Sequence, residues 1–177
     1  MNLANKLTIL RIFLIPIFMV FLLNKIPYGE PIAAGIFIIA AVTDILDGHI
    51  ARKRNEVTNL GKFMDPLADK LLVSAALISF VQMGKLSAWI VIIIIGRELT
   101  ISILRAVAAA EGKVIAASLW GKAKTIFQII AIISLLINNF PFSYINFPFD
   151  RIMVWVALIF TVVSGVDYVI INIDVLK

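Results

Sequence analysis

Six long apolar stretches limit what this sequence can fold into more than any other feature. Each is close to the ~20 residues that an α-helix needs to cross a lipid bilayer. They cover about residues 7–24, 32–52, 61–83, 87–108, 118–138 and 151–173. Hydrophobic residues make up 62% of the chain, against roughly 45–50% in an average soluble protein, so lipid is the expected solvent. The sequence predicts an all-α polytopic membrane protein, with six transmembrane helices in a single domain over residues 1–177.

The distribution of basic residues predicts how these helices are oriented. Six spans place both termini on the same side, and residues 1–6 are expected to lie along the membrane surface there. If that side is the cytoplasm, thirteen Lys and Arg residues fall on the inner side and three, Lys25, Lys85 and Arg151, on the outer side. This agrees with the positive-inside rule. The net charge of +5 therefore indicates orientation and attraction to anionic headgroups, and membrane lipids rather than nucleic acid are the expected partners.

Four aspartates occur near the predicted cytoplasmic ends of the second and third spans. Asp44 and Asp47 are three residues apart, and Asp65 and Asp69 are four residues apart, so each pair shares one helix face. A short link over residues 53–60 joins the two helices and predicts that they are antiparallel neighbours. The sequence therefore predicts that all four carboxylates converge.

A metal site is the interpretation that best fits such a cluster. Four carboxylates repel one another strongly in a low dielectric, and the chain has no Cys and only one His. Oxygen ligands of this kind favour Mg²⁺, with Mn²⁺ next, and two such ions would suit phosphoryl transfer. Gly48 and Ala51 would leave space for a nucleotide, and Arg52 could bind phosphate. The alternative is that the acids only pair with neighbouring basic residues, but intramembrane acids without a function are rare.

The complete pattern resembles the signature of the CDP-alcohol phosphotransferases at every fixed position. It reads Asp44-x2-Asp47-Gly48-x2-Ala51-Arg52-x8-Gly61-x3-Asp65-x3-Asp69. The resemblance implies a fold of six spans, a homodimer, and two divalent cations bound by Asp44, Asp47, Asp65 and Asp69. It also implies that Asp69 is the general base. The residues implied to contact the CDP-lipid are Asp44, Asp47, Gly48, Ala51, Arg52 and Thr58.

Three further stretches resemble the bacterial members of this family that use glycerol 3-phosphate as the acceptor. They are Asn5-x2-Thr8-x2-Arg11, Gly96-Arg97-Glu98-Leu99-x3-Ser102-x2-Arg105 and Gly121-Lys122-x-Lys124-Thr125-x2-Gln128. The implied reaction transfers the phosphatidyl group of CDP-diacylglycerol to glycerol 3-phosphate and releases CMP. The implied location is the bacterial cytoplasmic membrane, with the active site facing the cytoplasm.

A second group of charged residues supports a phosphorylated acceptor. Arg97 and Arg105 lie in the fourth span, and Lys122 and Lys124 in the fifth. A dianionic acceptor needs a cationic pocket, and we predict this role chiefly for Arg105 and Lys124. Arg97 is deep in its span, so we expect it to have a partner, either Glu98 or an aspartate of the third helix; snorkelling or ion pairing is the alternative for all four.

Other functions remain open at this point. Within the family, the acceptor could be inositol phosphate, or phosphatidylglycerol in cardiolipin synthesis, whereas the basic residues argue against serine. From another class, a divalent-cation transporter could use the same four aspartates. It would need acids near the bilayer centre, whereas these acids cluster at one end beside Arg52 and Arg54. His49 points off the Asp44–Asp47 face, so we expect no ligand role for it.

Overall fold

The regular structure of the described residues is entirely helical, as the sequence predicts. The computed structural model describes the backbone of residues 3–24, 26–53, 59–110, 112, 115 and 118–172, and the side chains in these ranges except at 3–4, 44–53 and 59–63. The six α-helices are α1 (Leu3–Leu23), α2 (Gly29–Lys53), α3 (Asn59–Gln82), α4 (Ala88–Ala110), α5 (Leu119–Leu136) and α6 (Phe149–Ile171). A 3₁₀ turn over Phe142–Ile145 precedes α6. Each predicted apolar stretch corresponds to one helix, and residues 3–6 form the first turn of α1.

Turn-forming residues set the ends of these helices. Gly84 follows α3 with a φ of 72°, and Asn138 and Asn139 follow α5 with φ values of 52° and 59°. This left-handed region is accessible to Gly and, less readily, to Asn. At the start of α5, the side chain of Ser118 accepts a hydrogen bond from the backbone N–H of Gly121, which is a standard N-cap.

The chain divides into two compact units, Met1–Lys85 and Leu86–Lys177, which we call unit 1 and unit 2. In unit 1, α1 packs against both α2 and α3, whereas the contact between α2 and α3 is much smaller. Phe18 of α1 and Phe37 of α2 are both buried, and their ring centroids are 6.0 Å apart. Within this unit α1 is therefore the central helix.

In unit 2, α6 packs extensively against α5 and also against α4. The ring centroids of Phe127 in α5 and Phe160 in α6 are 4.7 Å apart. Ala131 and Ala157 are buried, and such small residues allow two helix backbones to approach closely. Helix α6 thus contacts both α4 and α5, the helices that carry the basic residues.

Three helices of the described residues are long and apolar enough to cross a membrane: Asn5–Leu23 within α1, and the whole of α5 and α6. Gly29–Thr43 of α2 is a shorter apolar helix. Charged residues interrupt the remaining helices, including Asp65 and Asp69 in α3 and Arg97 and Arg105 in α4. The count of six spans therefore stays a prediction. The charged residues that lower the hydropathy of α3 and α4 are the same ones that the sequence predicts to be functional.

Candidate functional site

Asp65 and Asp69 form an acidic face on α3. Both lie within the observed helix, four residues apart, so their side chains project from the same side of it. Asp65 is half-buried and Asp69 is exposed, whereas Ala68 and Leu72 are buried. The helix thus packs through its apolar side and leaves Asp69 accessible to a ligand.

A buried polar stripe on α1 meets this acidic face. It consists of Asn5, Thr8 and Arg11, which are three residues apart and all buried. The hydroxyl Oγ1 of Thr8 donates a hydrogen bond to Oδ1 of Asp65 over 2.5 Å. A short bond from a fully buried donor restricts the rotation of the carboxylate, because a short O–H···O⁻ bond is among the stronger hydrogen bonds in proteins.

The remaining residues of the acidic motif lie on α2 and in the link that follows it. Asp44, Asp47, Gly48, Ala51 and Arg52 belong to the helical backbone of α2, but their side chains lie outside the described residues, as does the whole of Thr58. The structure therefore confirms that Asp44 and Asp47 are three residues apart on a helix. The convergence of all four carboxylates stays a prediction.

The donors of the acidic face suit a hard divalent cation. Carboxylate oxygens are the ligands that Mg²⁺ and Mn²⁺ prefer, and the Thr8 hydroxyl orients one of them. In the described part of the chain, no group of three or more His, Cys, Asp or Glu residues could hold a metal ion. Asp65 and Asp69 fit such an ion only as part of a larger set, and the other two aspartates of the sequence motif, Asp44 and Asp47, belong to α2.

A partly buried ion-pair network joins α4 to α5 in unit 2. Nζ of Lys124 donates to Oε1 of Glu98, and Nη1 of Arg97 lies 3.4 Å from the same oxygen. Lys124 is only 3% exposed. The expectation that Arg97 needs a partner is correct, and its partner on α4 is the adjacent Glu98. The pairing of Lys124 with Glu98 was not predicted.

The two arginines of α4 also bind side chains of α6. Nη2 of Arg97 donates to Oγ of Ser164 over 3.0 Å, and Nε of Arg105 donates to the hydroxyl of Tyr168 over 2.9 Å. Cζ of Arg105 lies 5.5 Å from the centroid of the Tyr168 ring, within the range of a cation–π contact. Sequence reasoning missed Ser164 and Tyr168, although two polar residues four positions apart in an apolar helix are a recognisable signal.

Three of the four predicted basic residues thus bond within unit 2, Arg97 and Lys124 to Glu98 and Arg105 to Tyr168. We call Arg97, Arg105 and Lys124 together the basic cluster. Glu98 is the acidic residue bonded to it, so within the described residues the cluster combines three positive charges with one negative charge. Lys122 is exposed, and no hydrogen bond or ion pair within the described residues connects it to the cluster.

Two buried donor atoms, one in the cluster and one on α5, have no hydrogen-bond partner among the described residues. They are Nε of Arg97 and Nε2 of Gln128. Gln128 lies four residues after Lys124 on α5, hence on the same helix face. A buried donor without a partner costs about 1–3 kcal/mol. An acceptor atom of a bound ligand could offset this cost.

Comparison with known proteins places the chain in a single, well-defined group. The family model described as CDP-alcohol phosphatidyltransferase matches residues 1–163, which extends across the boundary between the two units. A Bacillus subtilis protein named CDP-diacylglycerol–glycerol-3-phosphate 3-phosphatidyltransferase is 52% identical, and the alignment covers 99% of this chain and 97% of that protein.

Two more distant relatives agree with this assignment. A Mycobacterium tuberculosis protein named as a probable phosphatidylglycerophosphate synthase is 38% identical over 95% of this chain and 80% of its own length. A Pseudomonas fluorescens protein with the same name as the Bacillus relative is 40% identical over 81% of this chain and 76% of its own length.

Proposed function

Because the chain belongs to the CDP-alcohol phosphatidyltransferase family, we propose that it transfers the phosphatidyl group of CDP-diacylglycerol to glycerol 3-phosphate. The products are phosphatidylglycerophosphate and CMP. Family membership favours this enzyme over the divalent-cation transporter considered from the sequence. The names of relatives that cover almost the whole chain support the choice of substrates.

The acidic motif would act on the CDP-lipid. Asp44, Asp47, Asp65 and Asp69 would hold two divalent cations, with Mg²⁺ or Mn²⁺ as the expected metal. When bound, such ions neutralise the pyrophosphate and stabilise the charge on the departing CMP. The residues proposed to contact the CDP portion are Gly48, Ala51, Arg52 and Thr58. The Thr8 hydroxyl would keep the Asp65 carboxylate in one orientation for its part in this set.

Asp69 would also serve as the general base. Its carboxylate is exposed at the end of the acidic face, so an acceptor hydroxyl can reach it. In the proposed step, Asp69 takes the proton of that hydroxyl, and the hydroxyl oxygen forms a bond to the phosphorus that carries diacylglycerol. The bond between this phosphorus and the bridging oxygen breaks, and CMP leaves with the electron pair.

The basic cluster would bind the phosphate of the acceptor, and this is the observation that carries the choice of glycerol 3-phosphate. Arg105 is exposed and makes its hydrogen bond to Tyr168 through Nε, so its two terminal nitrogens can face a phosphate in the bidentate manner that arginine favours. Lys124 and Arg97 would contribute positive charge beside it. Lys122, which is exposed and outside the cluster, would at most assist the entry of the anion.

We further propose that the enzyme is a multi-pass protein of the bacterial cytoplasmic membrane. Its apolar helices and its family imply a membrane location. The excess of Lys and Arg on one side supports an active site that faces the cytoplasm. We propose a single functional domain, which a family match across both units supports, and a homodimer on the basis of the family resemblance.

A direct assay tests the substrate assignment. The purified protein in mixed micelles, with Mg²⁺ and CDP-diacylglycerol, is offered glycerol 3-phosphate, inositol phosphate, phosphatidylglycerol or glycerol at equal concentration. We expect CMP release and phosphatidylglycerophosphate with glycerol 3-phosphate, and little product with the others. Faster transfer to inositol phosphate or phosphatidylglycerol would overturn the assignment of the acceptor and leave the family chemistry intact.

A further inference from the structure

Two buried polar side chains of α6 bind the two arginines of α4. Ser164 is fully buried and Tyr168 is 2% exposed, and they lie four residues apart, about one helical turn. Ser164 accepts from Arg97 and Tyr168 accepts from Arg105. Both residues follow residue 163, where the match to the family model ends.

A glycine between these two residues provides the space for Arg97. A Cβ atom at Gly165 would lie 3.1 Å from Cγ of Arg97 and 3.9 Å from its Nε. The first distance is tighter than an ordinary van der Waals contact. Gly165 lies in the interior of α6, so a glycine costs helix propensity there. The close approach of the arginine side chain gives a physical reason for it.

The two arginines are held in different ways. The guanidinium of Arg97 uses Nη1 for Glu98 and Nη2 for Ser164, so it is a fixed charge. The guanidinium of Arg105 is bonded at Nε and lies near the Tyr168 ring, which orients its plane. An arginine whose plane is already oriented loses less conformational entropy when it binds a phosphate.

From these contacts we propose that Tyr168 and Ser164 are positioning residues that set the affinity for the phosphorylated acceptor, Tyr168 through Arg105 and Ser164 through Arg97. The inference rests on the proposed function, because it assumes that the basic cluster binds the acceptor phosphate. It adds that α6, through these two side chains, determines how well the cluster does so.

The variant Tyr168→Phe tests this inference in the full-length enzyme. It removes the hydroxyl that accepts from Arg105 and keeps the ring beside the guanidinium. We expect the KM for glycerol 3-phosphate to rise roughly 5- to 10-fold, as for the loss of one typical hydrogen bond, because Tyr168 acts only through Arg105. The kcat and the KM for CDP-diacylglycerol should change less than about 2-fold. Tyr144→Phe is the matched control, because Tyr144 is also in unit 2 but is 79% exposed, and it should change neither KM.

A double-mutant cycle separates this inference from the proposed function. If Tyr168 acts through Arg105, Tyr168→Phe should have no further effect on the acceptor KM in an Arg105→Ala background. An increase in KM with Arg105→Ala but not with Tyr168→Phe would overturn the positioning role and leave the acceptor site in place. If neither variant changed the acceptor KM, the basic cluster would not be the acceptor site, and this inference would fail with it, while the substrate assignment would rest on the relatives alone.

The same variants distinguish positioning from a general structural role. A Tyr168→Phe enzyme whose thermal stability in detergent falls, and whose KM values for both substrates rise together, would overturn the inference. Ser164→Ala gives an independent check through Arg97. We expect a smaller rise in the acceptor KM for it, because Glu98 still holds Arg97 in that variant.

Discussion

The Asp65 carboxylate on α3 accepts from a hydroxyl, whereas the Glu98 carboxylate on α4 pairs with two cations, Arg97 and Lys124. In unit 1, Asp65 accepts a hydrogen bond from the neutral Thr8, a contact that leaves its negative charge in place. In unit 2, Glu98 offsets part of the charge of Lys124 and Arg97. The basic cluster is thus partly neutralised before its ligand arrives, whereas the Thr8 contact orients the Asp65 carboxylate without neutralising it.

This difference has a physical consequence for affinity. The buried Lys124 and the partly buried Arg97 would be costly to maintain without a counter-charge, and they would hold any phosphate tightly. Glu98 lowers that cost, and we infer that it also moderates the binding of phosphate, so that a phosphorylated lipid product can leave.

The largest expected effect comes from removing the metal. Excess chelator should abolish transfer, and Mg²⁺ or Mn²⁺ should restore it, because the four aspartates of the motif would repel one another and the pyrophosphate without cations. Chelator already saturated with Mg²⁺ is the control. Binding of glycerol 3-phosphate measured by calorimetry should persist in chelator, since the basic cluster needs no cation. Full activity in excess chelator would contradict the proposed use of metal ions.

The next effect in size concerns the base. Asp69→Asn keeps the shape of the side chain and removes its basicity, so kcat should fall about 10²–10⁴-fold, with little change in the KM for glycerol 3-phosphate. Because Asp69 is also a proposed metal ligand, the binding of CDP-diacylglycerol should weaken, although part of it should survive. Asp150→Asn, at the start of α6, is the matched control and should be active. A variant that loses affinity without losing kcat would show that Asp69 is a ligand only.

A smaller effect is expected from the hydroxyl that orients Asp65. Thr8→Val keeps the side-chain shape and removes the donor, and losing such a support for a metal ligand typically costs about 10–100-fold in metal affinity or activity. Binding of Mn²⁺ to the apoprotein, followed by electron paramagnetic resonance, should weaken accordingly, and Thr8→Ser should restore it. Thr161→Val is the control, since the Thr161 hydroxyl is equally buried and donates to the Ala157 carbonyl of its own helix. Equal losses in both valine variants would contradict a specific role for Thr8.

The sequence predicts the positions of the helices, but it does not predict which side chains of different helices form hydrogen bonds. The helix positions follow from local information: the apolar stretch 118–138 corresponds to α5 at Leu119–Leu136, and 32–52 to α2 at Gly29–Lys53, because Gly, Pro and Asn residues separate the stretches. The pairing of Arg97 with the adjacent Glu98 was also predictable. By contrast, Thr8 and Asp65 are 57 positions apart, and Arg105 and Tyr168 are 63 apart. Such pairs depend on which helix faces pack together, which a period of 3.6 residues does not determine.

The smallest expected effect sharpens the comparison at the basic cluster. Gly165→Ala places a methyl group 3.1 Å from Cγ of Arg97, so the arginine must shift by a few tenths of an ångström. Because overpacking displaces neighbouring side chains, we expect the KM for glycerol 3-phosphate to rise about 2- to 5-fold, while the response to Mg²⁺ at the acidic face is unchanged. Alanine has the higher helix propensity, so the thermal stability should not fall in parallel.

Gly96→Ala is the matched control, since a Cβ at Gly96 meets nothing within 4 Å. If Gly165→Ala and Gly96→Ala gave the same kinetics, the position of Arg97 would not limit acceptor binding, and the selectivity for a phosphorylated acceptor would depend on Arg105 and Lys124 alone.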